Sequence, residues 1–246
     1  MQCTSCEHYE TSINSDRKED PFLNHHYTLN GKLSKVIEDI VVKDRFGNDI
    51  KVKELWKERT VIVKVLRRLG CCLCRQEAKM LSEMQPLFEK HNVGLVAITH
   101  EDVDSSVFIT SGYWNWDIYM DYERKVYKAA GLHKVSLSYI FYVLRKRILK
   151  SLVGFLRDKG IPNTIQKGSI RQLGGTFVIN PRGEIIYSFK AKKFGQFPSI
   201  KEIYGLIGGD PDEIHDDTPE EYVYTRERLN EEESFSSSSR LSSRTF

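Results

Sequence analysis

The chain has 246 residues, 40% of them hydrophobic and 29% charged, with a net charge of only +3. This is ordinary globular composition, with no general case for nucleic-acid binding. No uninterrupted apolar run is long enough to cross a bilayer, and the first ten residues lack the basic start and apolar run of a secretory leader.

Residues 1–32 are polar and aperiodic, which predicts a flexible arm. Ile40–Asp44 and Ile50–Val52 flank a turn-rich Arg-Phe-Gly-Asn-Asp and read as a β-hairpin. Lys53–Glu58 follows as a short helix or turn. Val61–Leu66 is dominated by Val, Ile and Leu and reads as a central strand buried on both faces. From Cys72 to His91, Ala78, Leu81, Met84 (or Gln85), Leu87 and Phe88 fall on one side of a single predicted helix. Val93–Ile98 is a second buried strand, Ser105–Gly112 a helix and Ile118–Met120 a short strand. Arg124–Ala130 makes one or two helical turns that stop at Gly131. Gly175–Asn180 and Glu184–Phe189 lie either side of Pro-Arg-Gly as a clear hairpin, and Ser199–Ile207 is a closing helix.

Strand, helix, strand, helix, strand, then a hairpin and a helix, is a three-layer α/β order. Right-handed crossovers bring the ends of the first two strands to one edge, and the whole is a thioredoxin-like arrangement over residues 33–209. An insertion at 133–171 interrupts it, with nine lysines and arginines against one acid, Asp158. There Leu137, Ile140, Phe141, Leu144, Ile148, Leu152, Phe155 and Leu156 recur at helical spacing, which predicts a basic amphipathic helix of about five turns. Residues 210–246 turn acidic and then serine-rich, and should be disordered.

The chemistry concentrates where the first buried strand runs into its helix, at Gly70-Cys-Cys-Leu-Cys-Arg75. Cys71 falls on the free N–H groups of a helix start, whose partial positive charge favours thiolate. Arg67, Arg68 and Arg75 push the same way, and Cys74 lies one turn on, near enough to close a small disulfide. Thiol redox chemistry is expected. An odd count of five cysteines, three of them at one helix start, does not resemble a secreted disulfide framework. A reducing, cytoplasmic setting fits.

Gly70-Cys-Cys-Leu-Cys-Arg-Gln-Glu-Ala78 resembles the peroxiredoxin-like 2 group of the AhpC/TSA superfamily. So do Ile118-Tyr-Met-Asp-Tyr-Glu-Arg-Lys-Val-Tyr-Lys-Ala-Ala-Gly131 and Leu173-Gly-Gly-Thr-Phe-Val-Ile179. The likeness spans about residues 35–208 and is nearest to the AhpC/TSA antioxidant-domain members. It implies thiol-dependent reduction of a peroxide or endoperoxide, with Cys71 attacking, Cys74 resolving and an external thiol donor such as thioredoxin. It implies no cofactor. Arg68 and peptide N–H groups would stabilise the departing oxygen, with Arg75, Gly175 and Thr176 in support. The chain departs from ordinary peroxiredoxins at Lys64 and Arg68, where those place Pro and Thr or Ser, and from thioredoxins at Gly174-Gly175-Thr176, where those have a cis-proline.

Other readings stand beside this one. Cys3 and Cys6 would complete four zinc ligands with Cys71 and Cys74, but the two pairs are far apart for a compact site, and no metal is expected. Cys72 points to another side of the helix as packing. His100 reads as a solvated loop residue that could assist proton transfer, and Glu77 as paired with an arginine or facing water, the ion pair being favoured. The insertion packs its apolar face on the domain, or serves as a lid over a lipid-like substrate, or meets an anionic membrane surface. A monomer is expected. The alternative function is a catalytically weak thioredoxin-fold regulatory protein that acts through the insertion and tail.

Overall fold

Alternation along the strand β3 (Thr60–Val65) sets the architecture. Val61, Val63 and Val65 enter one apolar cluster with Trp56, Val96, Ile98, Val126, Tyr127 and Phe177. Ile62 points the other way, and with Leu66 it meets Ala78, Leu81, Phe88, Leu95 and Ile203. A sheet buried on both faces needs helices on both, which accounts for the unbroken run of apolar residues in this strand.

The computed structural model describes residues 32–102, 107–145, 147–164 and 168–214. The expected N-terminal arm, with Cys3 and Cys6, and nearly all of the acidic tail lie outside the described residues. The elements run α1 (Lys32–Ile37), β1 (Val41–Lys43), β2 (Asp49–Lys51), a 3-10 turn (Val52–Trp56), β3, α2 (Cys72–Glu83), α3 (Gln85–Lys90) and β4 (Val93–Thr99). Then come α4 (Val107–Thr110), β5 (Asp117–Met120), α5 (Lys125–Ala129), α6 (Leu137–Arg145), α7 (Arg147–Asp158), β6 (Gly175–Ile179), β7 (Ile185–Lys190) and α8 (Ile200–Leu206). They form one seven-stranded sheet in the order β2-β1-β5-β4-β3-β6-β7. β3 pairs in parallel with β4, as β4 does with β5, whereas β6 is antiparallel to both β3 and β7. The block β4-β3-β6-β7, with helices on both faces, is the thioredoxin-like arrangement the element order predicts.

Three local differences have physical causes. The single helix expected from Cys72 to His91 is two, ending and restarting at Met84. Pro86 has no N–H to give to the Ser82 carbonyl, which accepts from the Trp116 indole instead at 3.1 Å. In the insertion, α6 and α7 are both helical, and residue 146 between them lies outside the described residues. Residues 210–214, assigned to the tail by composition, are ordered. Asp210 caps a 3-10 turn, Glu213 accepts from the Tyr204 hydroxyl at 2.8 Å, and Ile214 is buried in the core. Among the described residues no helix is long and apolar enough to cross a membrane.

Candidate active site

β3 delivers the chain into a tight connection whose every turn is tied down. The Leu66 N–H donates to the Ile98 carbonyl at 2.8 Å, continuing the pairing with β4. One residue on from Arg68, the Leu69 N–H donates to the Glu101 carboxylate at 2.7 Å. Arg75, fully buried, reaches back from α2 to the Leu69 carbonyl at 2.8 Å and across to Thr164 Oγ1 at 2.6 Å. The first free amide of the helix, on Cys72, is capped by Asn163 Oδ1 at 2.8 Å. Arg75 and Asn163 therefore stitch the end of the insertion to the start of α2, a link between residues ninety positions apart in sequence. They hold the turn that presents Cys71.

Cys71 is the N-cap of α2, in extended conformation, and is partly exposed. Cys74 is buried one turn on. The Cys74 thiol donates to the Cys71 sulfur, and this hydrogen bond is the largest influence lowering the Cys71 pKa to about 5. Burial opposes the shift, while the Arg67 guanidinium and the backbone N–H groups of Cys74 and Leu73 add to it. The same bond, burial and the charge on Cys71 push the Cys74 thiol well up. The pair therefore holds one proton at neutral pH, on Cys74. Cys72 points into the core, and burial raises its thiol to about 12, so it is inert packing as expected.

Of the two arginines before the turn, Arg67 faces Cys71 as expected and Arg68 does not. Arg68, assigned to the departing oxygen, turns from the pocket and pairs with the buried Glu101 at 3.4 Å. Arg67 lines the pocket instead. Burial works against the Arg67 charge, but the two cysteine sulfurs more than offset it. Its guanidinium lies 4.1 Å over the Phe194 ring and donates to the Ile170 carbonyl at 2.9 Å. Adjacent residues leaving an irregular segment obey no fixed alternation, so the sequence could not rank them.

The floor of the pocket holds a pair that the sequence did not assemble. Lys64 shares the helix-facing side of β3 with Ile62 and Leu66, and is only 2% exposed. A buried ammonium needs a partner, and Lys64 Nζ pairs with Glu77 of α2, also buried. Burial raises the Glu77 pKa, with Lys64 opposing. Lys64 Nζ also lies 3.4 Å from Thr176 Oγ1. Gly175 acts in packing, since a Cβ there would meet the Phe189 carbonyl at 2.7 Å. Gly174, by contrast, lines the pocket, and a Cβ there would fall 2.3 Å from the Val65 carbonyl. The one readable signal was the lysine itself, a charge inside a strand buried on both faces.

His100 is no solvated loop residue. Its Nε2 accepts from the Ser169 N–H at 3.2 Å, and its ring meets Tyr127 edge-on at 5.2 Å. Burial first, then Arg124, Arg68 and Arg67, lower its pKa to about 4, so it is neutral and outside the pocket lining.

The resulting pocket is lined by charge at the bottom and by Leu73, Leu173, Ala191, Phe194 and Phe197 above, with Lys193 and Gln196 among them.

Residues 80–193 match the family described as AhpC/TSA antioxidant enzyme. Prostamide/prostaglandin F synthase of Xenopus tropicalis is 29% identical over 178 residues, covering 72% of this chain and 88% of that one. Thioredoxin-like protein AAED1, chloroplastic, of Arabidopsis thaliana is 28% identical over 173 residues, 68% of this chain and 69% of that one. Among solved structures, peroxiredoxin Q of Xanthomonas campestris aligns with a TM-score of 0.49 at 12% identity, over 70% of this chain and 92% of its own. The family match and the two relatives bear out the resemblance to the peroxiredoxin-like AhpC/TSA group and support a thiol-dependent redox function. The family match begins beyond Cys74, so the roles of the two cysteines rest on the geometry at α2.

Proposed function

We propose that this peroxiredoxin-like chain of the AhpC/TSA kind reduces an apolar peroxide or endoperoxide through Cys71. The observation that carries the reading is the geometry of the pair: Cys71, partly exposed at the N-cap of α2, lines a pocket beside Arg67, with the Cys74 thiol one turn on and hydrogen-bonded to its sulfur. The Cys71 thiolate attacks one oxygen of the O–O bond. That bond breaks and an alkoxide leaves beside Arg67 and takes a proton from water; with a hydroperoxide the sulfur is left as sulfenic acid, with an endoperoxide as a sulfenate ester of the attacked oxygen. Cys74 sulfur then attacks the Cys71 sulfur, its proton leaves with the hydroxyl as water or with the ester oxygen as an alcohol, and the disulfide forms. An external dithiol, thioredoxin or similar, returns both sulfurs to the reduced state in the cytoplasm.

The apolar upper lining of the pocket and the printed name of the Xenopus relative both favour an apolar oxidant over hydrogen peroxide. Mass spectrometry after one equivalent of a lipid-like hydroperoxide tests the reading. Formation of a Cys71–Cys74 bond, reversed by thioredoxin, is the expected result. Thiols that remain fully alkylatable after exposure would remove it.

A further inference from the structure

The insertion treats its two helices differently. α7 lays Leu156, with Val153 and Phe155, against the same core cluster as α2. α6 buries only Val143 fully and leans Tyr139 and Ile140 on Leu173, Ala191 and Phe194. Tyr142 is 40% exposed, and Leu137, Phe141 and Leu144 are 54%, 66% and 58% exposed. Of these, the last three form a set. Steps of four and three put them on one stripe of the helix. Exposed lysine and arginine bracket the stripe: Lys134 three residues before it, and Arg145 at the end of α6. Lys150, Arg157, Lys159 and Arg171 are exposed in the same insertion, where Asp158 is the only acid.

We propose that this stripe docks α6 on an anionic lipid surface, and that the oxidant reaching Cys71 is a peroxide carried in that surface. The second half rests on the catalytic reading above; the first does not. A short helix with Leu and Phe on one side and basic residues around them buries its apolar side among acyl chains while the cations meet anionic headgroups. The charge complementarity is one-sided, which selects an anionic surface over a neutral one.

Position supplies the link to chemistry. The ring of Tyr139, on α6, lies 5.4 Å from Phe194, and Phe194 both lines the pocket and carries Arg67 on its face. The helix that carries the stripe thus packs its other side directly on the lining of the Cys71 pocket.

The test uses the full chain and its Cys71→Ser form in co-sedimentation with vesicles of phosphatidylcholine alone, or of phosphatidylcholine with phosphatidylserine. Both forms should sediment with the phosphatidylserine vesicles only, and F141S/L144S should lose roughly tenfold or more in binding. No sedimentation of the full chain, as would follow if its acidic segment occupied the stripe, overturns the docking, as does binding indifferent to F141S/L144S. With a phospholipid hydroperoxide in the vesicles, F141S/L144S should turn over about tenfold more slowly than the unaltered chain, yet match it on a soluble alkyl hydroperoxide. Equal rates on the vesicles would overturn the substrate assignment. Inactivity of the unaltered chain on both peroxides, with binding intact, would count against the catalytic reading alone.

Discussion

The turn at Cys71 and the helix α6 are made of similar material, arginine or lysine set among Leu and Phe, and the protein uses them in opposite ways. At the turn the cations are taken in. Lys64 is buried against Glu77, Arg75 is fully buried across three acceptors, and Arg67 is laid on Phe194 beside two sulfurs. On α6 both the apolar stripe and the flanking cations face outward. A buried cation changes the proton affinity of its neighbours, because little water screens it. An exposed one selects what the surface meets. The turn is built for chemistry and α6 for contact.

The largest effect that would break this contrast is on turnover. Cys71→Ser should lower thiol-dependent consumption of an organic hydroperoxide by at least about a thousandfold. Activity within a few fold of the unaltered chain would move the chemistry elsewhere.

Stability should respond next. Lys64→Met leaves the Glu77 carboxylate buried without its partner, and should cost about 3–5 kcal/mol in urea unfolding. The double change K64M/E77L should recover most of it. If the single change were harmless, the floor of the pocket would not be the low-dielectric site described.

A smaller effect comes from His100. Its folded pKa of about 4 lies below its ordinary value of 6.5. Both folded and unfolded chains are therefore neutral there above pH 6.5, and the stabilisation is complete. As pH falls toward 4 the unfolded chain takes up the proton first, and stability declines. The loss between pH 8 and pH 5 should be about 2 kcal/mol, read as a falling urea midpoint, and His100→Asn should flatten it.

The smallest effect sharpens the other half of the contrast. F141S/L144S should change unfolding free energy by no more than about 0.5 kcal/mol, since both side chains are exposed. A large loss would mean the stripe is core.

What the sequence disclosed follows the same division. The strands were legible because Val61–Leu66 and Val93–Ile98 are apolar throughout, and only strands covered on both faces read that way. The Cys-x-x-Cys turn was legible because the helix start is marked by local spacing. The choice between Arg67 and Arg68 was not, since it depends on Glu101 and Phe194, far away in the chain. Lys64 and Glu77 were visible as residues but not as a pair, because thirteen positions and a tight turn separate them. Pro86 did mark the break between α2 and α3, and strong apolar spacing across it hid the signal. In the insertion, periodicity could show an amphipathic pattern but not which part of it would find a sheet to cover it.

The central claim is that the Cys71 sulfur is ionised in the resting protein, and it is tested most directly by the pH dependence of its alkylation. With Cys72 and Cys74 labelling resolved by mass spectrometry, the midpoint for Cys71 should fall well below pH 7. It should climb by about one unit in Arg67→Met, which removes a cation from beside the thiolate. A midpoint near the free-cysteine value of about 8.5, unmoved by that substitution, would contradict the account.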